Sequence, residues 1–314
     1  MRLVDYQKSA GIPIEDNIVL VGNPLFYSKG YPCLDWRQKH SKLRREWNRL
    51  FGLSKSKGLL PDRSAVLFFG KEEKSSEPKG LAKLFAEIEK SRHEYVILCG
   101  KSDLELDLET YNKMPDNVLG LFINNLNIKA PRLYYMPMGR DFRARTLFKA
   151  FPPQQNKDRL VYCNFSLDTH PVRDEVFENV KKTNLADFDH MGRFLRYSLP
   201  HEEYFKRLAM SRFAICPRGN AIETFRMWDC LYLGTIPIVV KEAFFHEQLE
   251  DLPILFLDKV SDFKELSGDF LEKTYNEMLL KDYNFEKLTL NYWLSPLKNH
   301  ELSLATEVTA HIKG

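Results

Sequence analysis

The densest chemistry in the sequence lies between Ser211 and Val240. An apolar run, Phe213–Cys216, is followed by Pro217, Arg218, Gly219 and Asn220. That run has the character of a buried strand. Gly219 lets the backbone turn tightly or come close to a ligand. A helix is predicted from near Ile222–Glu223, and the first turn of a helix presents N–H groups and a positive dipole end to an anion. Glu223 and Thr224 stand at that start. Arg218 and Arg226 add guanidinium donors that suit phosphate oxygens. Arg226 and Asp229 are three residues apart and share a helical face. A carboxylate at Asp229 can accept hydrogen bonds from a vicinal diol such as a ribose. Gly234 then ends the helix and Ile236–Val240 forms the next strand. Two readings stand level on these residues. One is a sugar-nucleotide grip, with diphosphate at the helix start and ribose one turn on. The other is an ordinary strand–helix–strand unit with a surface salt bridge between Arg226 and Asp229.

Other chemical motifs are weaker. Asp187-Phe188-Asp189 has the spacing that metal-dependent sugar transferases use to hold a divalent ion, but a bare Asp-x-Asp arises often by chance, and a polar turn is the simpler reading. No G-x-G-x-x-G follows a strand, and Gly100-Lys101-Ser102 lacks the upstream glycine of a phosphate loop, because that position is Tyr95. There is no His-Glu-x-x-His, G-x-S-x-G or EF-hand loop. Between residues 36 and 51, Trp36, Leu43, Trp47, Leu50 and Phe51 fall near one helical face and Arg37, Lys42, Arg44, Arg45 and Arg49 on the other. Such a helix can lie on an anionic membrane or touch nucleic acid. More often it is a core-packed helix with a solvated charged face.

The elements that must position these residues alternate along the chain. Strands are predicted at Ile18–Val21, Ala65–Phe69, Tyr95–Cys99, Val118–Ile123 and Leu133–Met136. After the Pro152–Pro153 pair they recur at Leu160–Asn164, Phe213–Cys216, Ile236–Val240 and Ile254–Leu257. Helical patterns occupy 79–91, 172–182, 201–210, 223–233 and 261–280. This alternation predicts an α/β fold of parallel sheets covered by helices. Two Rossmann-like domains are expected, 1–150 and 151–314, with the last helix able to pack back on the first domain. In open α/β sheets ligands bind beyond the carboxyl ends of the strands. The loops to watch are therefore 23–36, 71–74, 100–103, 124–127 and 139–143 in the first half, and 166–173 and 217–226 in the second.

The pattern carried by Pro217, Gly219, Asn220, Glu223, Thr224, Arg226, Trp228, Asp229, Leu231, Gly234 and Ile236-Pro237-Ile238 resembles exostosin-like glycosyltransferases of the GT-B fold. Further stretches are similar to the same family. Val161–Arg173 resembles the opening strand and loop of its donor domain. Tyr95–Asp103 resembles an acceptor-domain strand with a Ser-Asp loop. Asn124-Asn125 and Pro131–Gly139 resemble the strand–loop pair that closes that domain. The resemblance spans roughly 95–257. Ala221 stands where a second glycine is common, and Asp229 where Glu is usual.

What the resemblance implies is transfer of a sugar from a nucleoside-diphosphate sugar to a hydroxyl of a glycan acceptor. A UDP-sugar is the first expectation and a GDP-sugar the second. The chemistry is expected to be inverting and to need no metal or other obligatory cofactor. The developing charge on a leaving diphosphate needs stabilisation. Arg173, Arg218 and Arg226 are the candidates, assisted by Ser166 and the Gly219–Asn220 backbone, with Glu223, Thr224 and Asp229 completing the donor site. An inverting transfer needs a general base. Asp103, in the Ser-Asp loop, is the choice, with Asp35, Glu72 and Asp141 as rivals and a helix N-cap as its structural alternative. A non-catalytic sugar-nucleotide-binding or scaffold protein of the same fold is the alternative function.

Composition bounds these readings. Lys+Arg 46 against Asp+Glu 43 leaves a formal net charge of +3, so no global polycation points to nucleic acid as a partner. A hydrophobic content of 44% and charged content of 28% exclude a disordered or fibrous chain. The five cysteines form no C-x-x-C, so neither a disulfide framework nor a zinc site is suggested. The N-terminus carries no signal-like apolar run, and no apolar stretch is long enough to span a bilayer. A soluble, cytoplasmic protein is the expectation, with peripheral membrane contact through the basic helix 36–51 as the one membrane route.

Overall fold

The computed structural model describes residues 1–12, 64–69, 78–90, 94–99, 103–140, 150–188, 199–242, 246–293 and 295–298. The elements run α1 (Leu3–Lys8), β1 (Ser64–Phe69), α2 (Pro78–Ile88), β2 (Glu94–Cys99), α3 (Leu108–Tyr111), β3 (Val118–Ile123) and β4 (Leu133–Tyr135). They continue with β5 (Arg159–Cys163), α4 (Val172–Lys181), β6 (Ala186–Phe188), α5 (His201–Ala209), β7 (Ser211–Ile215), α6 (Phe225–Tyr232), β8 (Ile236–Val240), β9 (Leu255–Leu257) and α7 (Gly268–Leu280). Short helices α8 (Leu290–Trp293) and α9 (Ser295–Lys298) follow. The chain is mixed α/β, and all strand pairs of its two sheets are parallel.

The chain divides into two compact units, Val19–Met138 with Leu290–Gly314, and Met1–Ile18 with Gly139–Thr289. The division falls at 138/139, ahead of the expected 150, and the first residues group with the later half. The cause lies in α1. Tyr6 donates its hydroxyl proton to the Tyr232 carbonyl at 3.0 Å, and Gln7 Nε2 donates to the Gly234 carbonyl at 2.7 Å. The Tyr6 ring stacks on Phe285 with centroids 4.1 Å apart. Gly234 has φ +64°, and a Cβ there would lie 2.9 Å from Gln7 Cγ, so both backbone shape and close approach demand glycine. Pro153 is buried, and a Cβ on Gly11 would meet its Cδ at 2.9 Å. Pro153 is therefore packed under the N-terminal segment, while Pro152 is exposed.

In the unit of residues 19–138 the sheet order is β1-β2-β3-β4. Val96–Cys99 and Leu121–Ile123 are buried without alternation, as strands covered on both faces must be. Helix α2 buries Leu81, Leu84, Phe85 and Ile88, the i, i+3, i+4, i+7 stripe of an amphipathic helix. Asp107 caps α3 by accepting from the Thr110 N–H at 2.6 Å. At the carboxyl end of β3, Asn124 and Asn125 are fully buried, and Asn125 adopts φ 56°.

In the other unit the order is β6-β5-β7-β8-β9. From β5 the chain steps to one side for β6, then crosses back to lay β7 on the other side. The gap between the carboxyl ends of β5 and β7 is thus a topological switch point, where α/β sheets place their ligands. The edge strand β6 was not foreseen, because three residues carry too little hydrophobic pattern to register. Lys157 lies buried beneath this sheet and donates to the carbonyls of Ala209 and Leu233 and to Thr235 Oγ1. Burial pushes its ammonium down to about 7. Among the described residues, no helix is long and apolar enough to cross a membrane.

Candidate functional site

Two loops meet at the switch point. The first leaves β5 at Asn164 and makes a 3-10 turn, Leu167–Thr169, capped by Ser166. The second leaves β7 at Cys216 and runs to α6. The helix begins at Phe225, later than the expected Ile222–Glu223. Thr224, in extended backbone, takes the N-cap and accepts from the Met227 N–H at 3.4 Å. Thr is a better cap than the apolar Ile222, and the chain needs residues 217–223 to turn.

Arg173 ties the two loops together. Its Nε donates to the Arg218 carbonyl at 2.7 Å, Nη1 to the Ser166 carbonyl at 2.8 Å and Nη2 to the Pro217 carbonyl at 3.2 Å. The guanidinium lies over the Phe165 ring. Burial, with Arg226 nearby, lowers its pKa to about 10. A Cβ on Gly219 would sit 3.1 Å from Arg173 Nη2 and 3.3 Å from Thr169 Oγ1, so the backbone here passes close against the latch. Most of this arginine's donor capacity goes to protein carbonyls.

Arg226 is used differently. Its Nη2 donates to Asn164 Oδ1 at 3.2 Å, and its guanidinium lies 5.3 Å from the centre of the Tyr204 ring. Nη1 is buried and has no hydrogen-bond partner among the described residues. Arg226 and Asp229 share a helical face but do not pair. Asp229 is 4% exposed; it accepts from the Tyr204 hydroxyl at 3.3 Å and lies 3.5 Å from Arg140 Nε. Arg140 is itself buried between the Phe205 and Tyr232 rings, where desolvation lowers its pKa and Asp229 partly restores it. The surface salt bridge of the second sequence reading is not made: Arg226 turns to Asn164 and Tyr204, and Asp229 to Tyr204 and Arg140.

The remaining residues sort by what they touch. Glu223, 2% exposed, accepts the indole N–H of Trp228 and braces its own helix. Arg218 donates to Glu242 at 2.7 Å. That ion pair stands at the rim of a pocket of about 430 Å³, counting space continuous with solvent. Val172, Val176, Met227 and Val240 give the pocket an apolar lining, to which His246 adds an imidazole. The Glu242 N–H donates to His246 Nδ1, and burial pushes this imidazole down to about 4. Asn220 is exposed at the turn. Ser166 spends its hydroxyl on Asp168, donating to the carboxylate at 3.1 Å and accepting from the N–H at 3.3 Å.

In the other unit, Asp103 follows β2, half-buried and outside any helix. The N-cap role belongs to Asp107, four residues on. The rivals Asp35, Glu72 and Asp141, and the basic stretch 36–51, lie outside the described residues, as does the expected strand at Ile18–Val21. Asp187 sits on β6 and accepts from Arg159 at 3.3 Å, while Asp189 lies outside the described residues. Among the described residues, no group of three or more His, Cys, Asp or Glu side chains could hold a metal ion. Sequence reasoning passed over Asn164, Tyr204, Arg140, Glu242 and His246. Asn164 stood at the end of a predicted strand beside Ser166, which was signal enough. Tyr204 and Arg140 gave none, because their partners lie 25 and 89 residues away.

Residues 131–250 match the family model described as the Exostosin GT47 domain. That span contains β4 through β8, both switch-point loops and the whole of α6. The resemblance to exostosin-like glycosyltransferases therefore holds over the segment that builds the site, and the activity it carries in general terms is glycosyl transfer. A glycosyltransferase binds a sugar donor and a glycan acceptor.

Proposed function

We propose that the protein transfers a sugar from a nucleoside-diphosphate sugar, a UDP-sugar before a GDP-sugar, to a hydroxyl of a glycan acceptor. The observation that carries the donor site is the buried, unpartnered Nη1 of Arg226 at the β5/β7 switch point. A buried donor without an acceptor costs about 1–3 kcal/mol, and more when charged, so an anion arriving there recovers what the fold gives up. Arg226 and Arg218 are assigned the diphosphate, with Asn164 aiming Arg226 and the Gly219–Asn220 turn giving backbone approach. Arg173, Glu223 and Thr224 are assigned the framework, because carbonyls, an indole and a helix end already hold them. Asp229 is assigned support as well, since a carboxylate 4% exposed between Tyr204 and Arg140 is placed for bracing more than for a ribose.

Charge on the leaving diphosphate would fall to these arginines, which supports a metal-independent route. Asp103 remains the proposed base of an inverting transfer. It follows a strand of a second parallel sheet at its carboxyl end, where α/β sheets put chemistry. A GT-B arrangement of two Rossmann-like domains, with the base and the donor on opposite domains, is part of the same proposal, as is a cytoplasmic location. The test is calorimetric titration with UDP, GDP and pyrophosphate, followed by donor turnover against a panel of acceptors. Tight UDP binding with no hydrolysis or transfer to any acceptor favours the non-catalytic sugar-nucleotide-binding alternative. No binding of any of the three removes the proposal.

A further inference from the structure

Arg226 and Asp229 stand i, i+3 on α6, the spacing at which opposite charges normally meet. They do not meet here. The Tyr204 side chain, from α5, touches both: its ring lies 5.3 Å from the Arg226 guanidinium and its hydroxyl donates to Asp229 Oδ2 at 3.3 Å. On the far side of Asp229, Arg140 supplies the positive charge that Arg226 would otherwise supply, 3.5 Å from Oδ1. The Tyr204 hydroxyl is held strongly protonated by burial and by Asp229, so it acts as a donor. The arrangement leaves one face of the Arg226 guanidinium on an aromatic ring, one nitrogen on Asn164 and Nη1 without a partner.

We infer that Tyr204 is a positioning residue that keeps Arg226 from pairing with Asp229 and so holds its Nη1 available to a donor phosphate. This rests on the diphosphate role given above to Arg226. The mechanism is a competition. With the Tyr204 hydroxyl gone from Oδ2, the Asp229 carboxylate three residues away would draw the guanidinium into an intrahelical ion pair, and a phosphate would have to displace it. Tyr204 satisfies the carboxylate with a neutral donor and satisfies the cation with a π face, each at lower strength than the pair they replace.

The experiment is calorimetry with inorganic pyrophosphate, a probe that carries the phosphates and no ribose. Tyr204→Phe keeps the ring but frees Asp229 Oδ2, and is expected to weaken pyrophosphate by about threefold, a smaller loss than removal of the whole side chain. Tyr204→Leu removes ring and hydroxyl, lets Arg226 fall onto Asp229, and is expected to weaken pyrophosphate at least tenfold. Adding Asp229→Asn to Tyr204→Leu removes the competing charge and is expected to return the affinity to within threefold, a rescue that a merely structural role would not give. Tyr204→Met, closer in volume, serves where the Leu variant does not fold, and the melting transition of each variant reports on folding. Wild-type affinity in Tyr204→Leu overturns the inference, and so does a loss that Asp229→Asn fails to rescue. Arg226→Ala runs alongside. If it binds pyrophosphate normally, the diphosphate role itself has failed; if it loses binding while Tyr204→Leu does not, only the role of Tyr204 has.

Discussion

The two strand-end regions that carry the proposed chemistry are built in opposite ways. Around the loops after β5 and β7, three charged side chains are buried and committed: Arg173 to three carbonyls, Glu223 to an indole, Asp229 to Tyr204 and Arg140. Among the described residues, the loop after β2 carries two half-buried acids, Asp103 and Glu105, the latter accepting from Asn127, with the local capping done by Asp107. A rigid cradle suits a ligand held the same way in every turnover. A general base needs less bracing, because it must exchange its proton and lose it again to solvent. An aspartate braces one region, at Asp229, and would react in the other, at Asp103, so type alone does not assign role.

Substitutions can break or sharpen this contrast. The largest effect is expected from Asp103→Asn, which removes the proposed general base and should lower kcat by about 10²–10⁴-fold. Donor affinity, measured by calorimetry, should be unchanged; near-normal turnover would discard Asp103. Next, Arg173→Met frees the carbonyls of Ser166, Pro217 and Arg218, and urea unfolding should report a loss of about 3 kcal/mol. A loss of donor affinity with stability intact would instead place Arg173 among the phosphate ligands. Arg226→Ala should show the reverse signature, weakening UDP by roughly 10–100-fold, the worth of a charged hydrogen bond of about 1.5–3 kcal/mol. Its unfolding midpoint should move little.

A pH test comes next. His246 is held neutral by burial, its pKa lowered from 6.5 to about 4. Between those values the unfolded chain binds the proton and the folded chain does not. Stability is then full above pH 6.5, falls as pH drops towards 4, and gains no further slope from this group below that. The loss is on the order of 3 kcal/mol across the window. His246→Gln should flatten the stability profile between pH 6.5 and 4. An unchanged profile would show that the imidazole protonates in place. The smallest effect is expected from Gly219→Ala, whose Cβ must push the Arg173 guanidinium by a few tenths of an ångström, at about 1 kcal/mol or less in urea unfolding.

The fold was legible wherever burial repeats at a fixed period. Val118–Ile123 and Ile236–Val240 are strands at the predicted bounds, and α2, α4 and α5 fall within a few residues of theirs. Short elements without a period, β6 and α1, were invisible. The site was legible as a place and less so as a set of roles. Pro217 to Asp229 marked where to look, because a glycine turn between strand and helix is a local pattern. Which arginine is latched and which is held open depends on Tyr204, Arg140 and the carbonyls of a loop 45 residues away, and such contacts leave no local trace. The grouping of the first residues with the later unit left no local trace either, because Tyr6 and Gln7 find their partners more than 200 residues along the chain.

That long reach sets the order in which the molecule can be made. Tyr6 is made 226 residues ahead of its acceptor at Tyr232. At about 5–20 residues per second, helix α1 waits roughly 10–45 seconds for the surface it covers. Throughout that interval Tyr6 lacks its partners at Tyr232 and Phe285, while the unit of residues 19–138 can begin to form between the two halves of the other unit. Completion of that unit is a ring closure, the beginning of the chain returning to seal what its later portion has built. The exposed early segment is the stretch where a chaperone would find its longest opportunity.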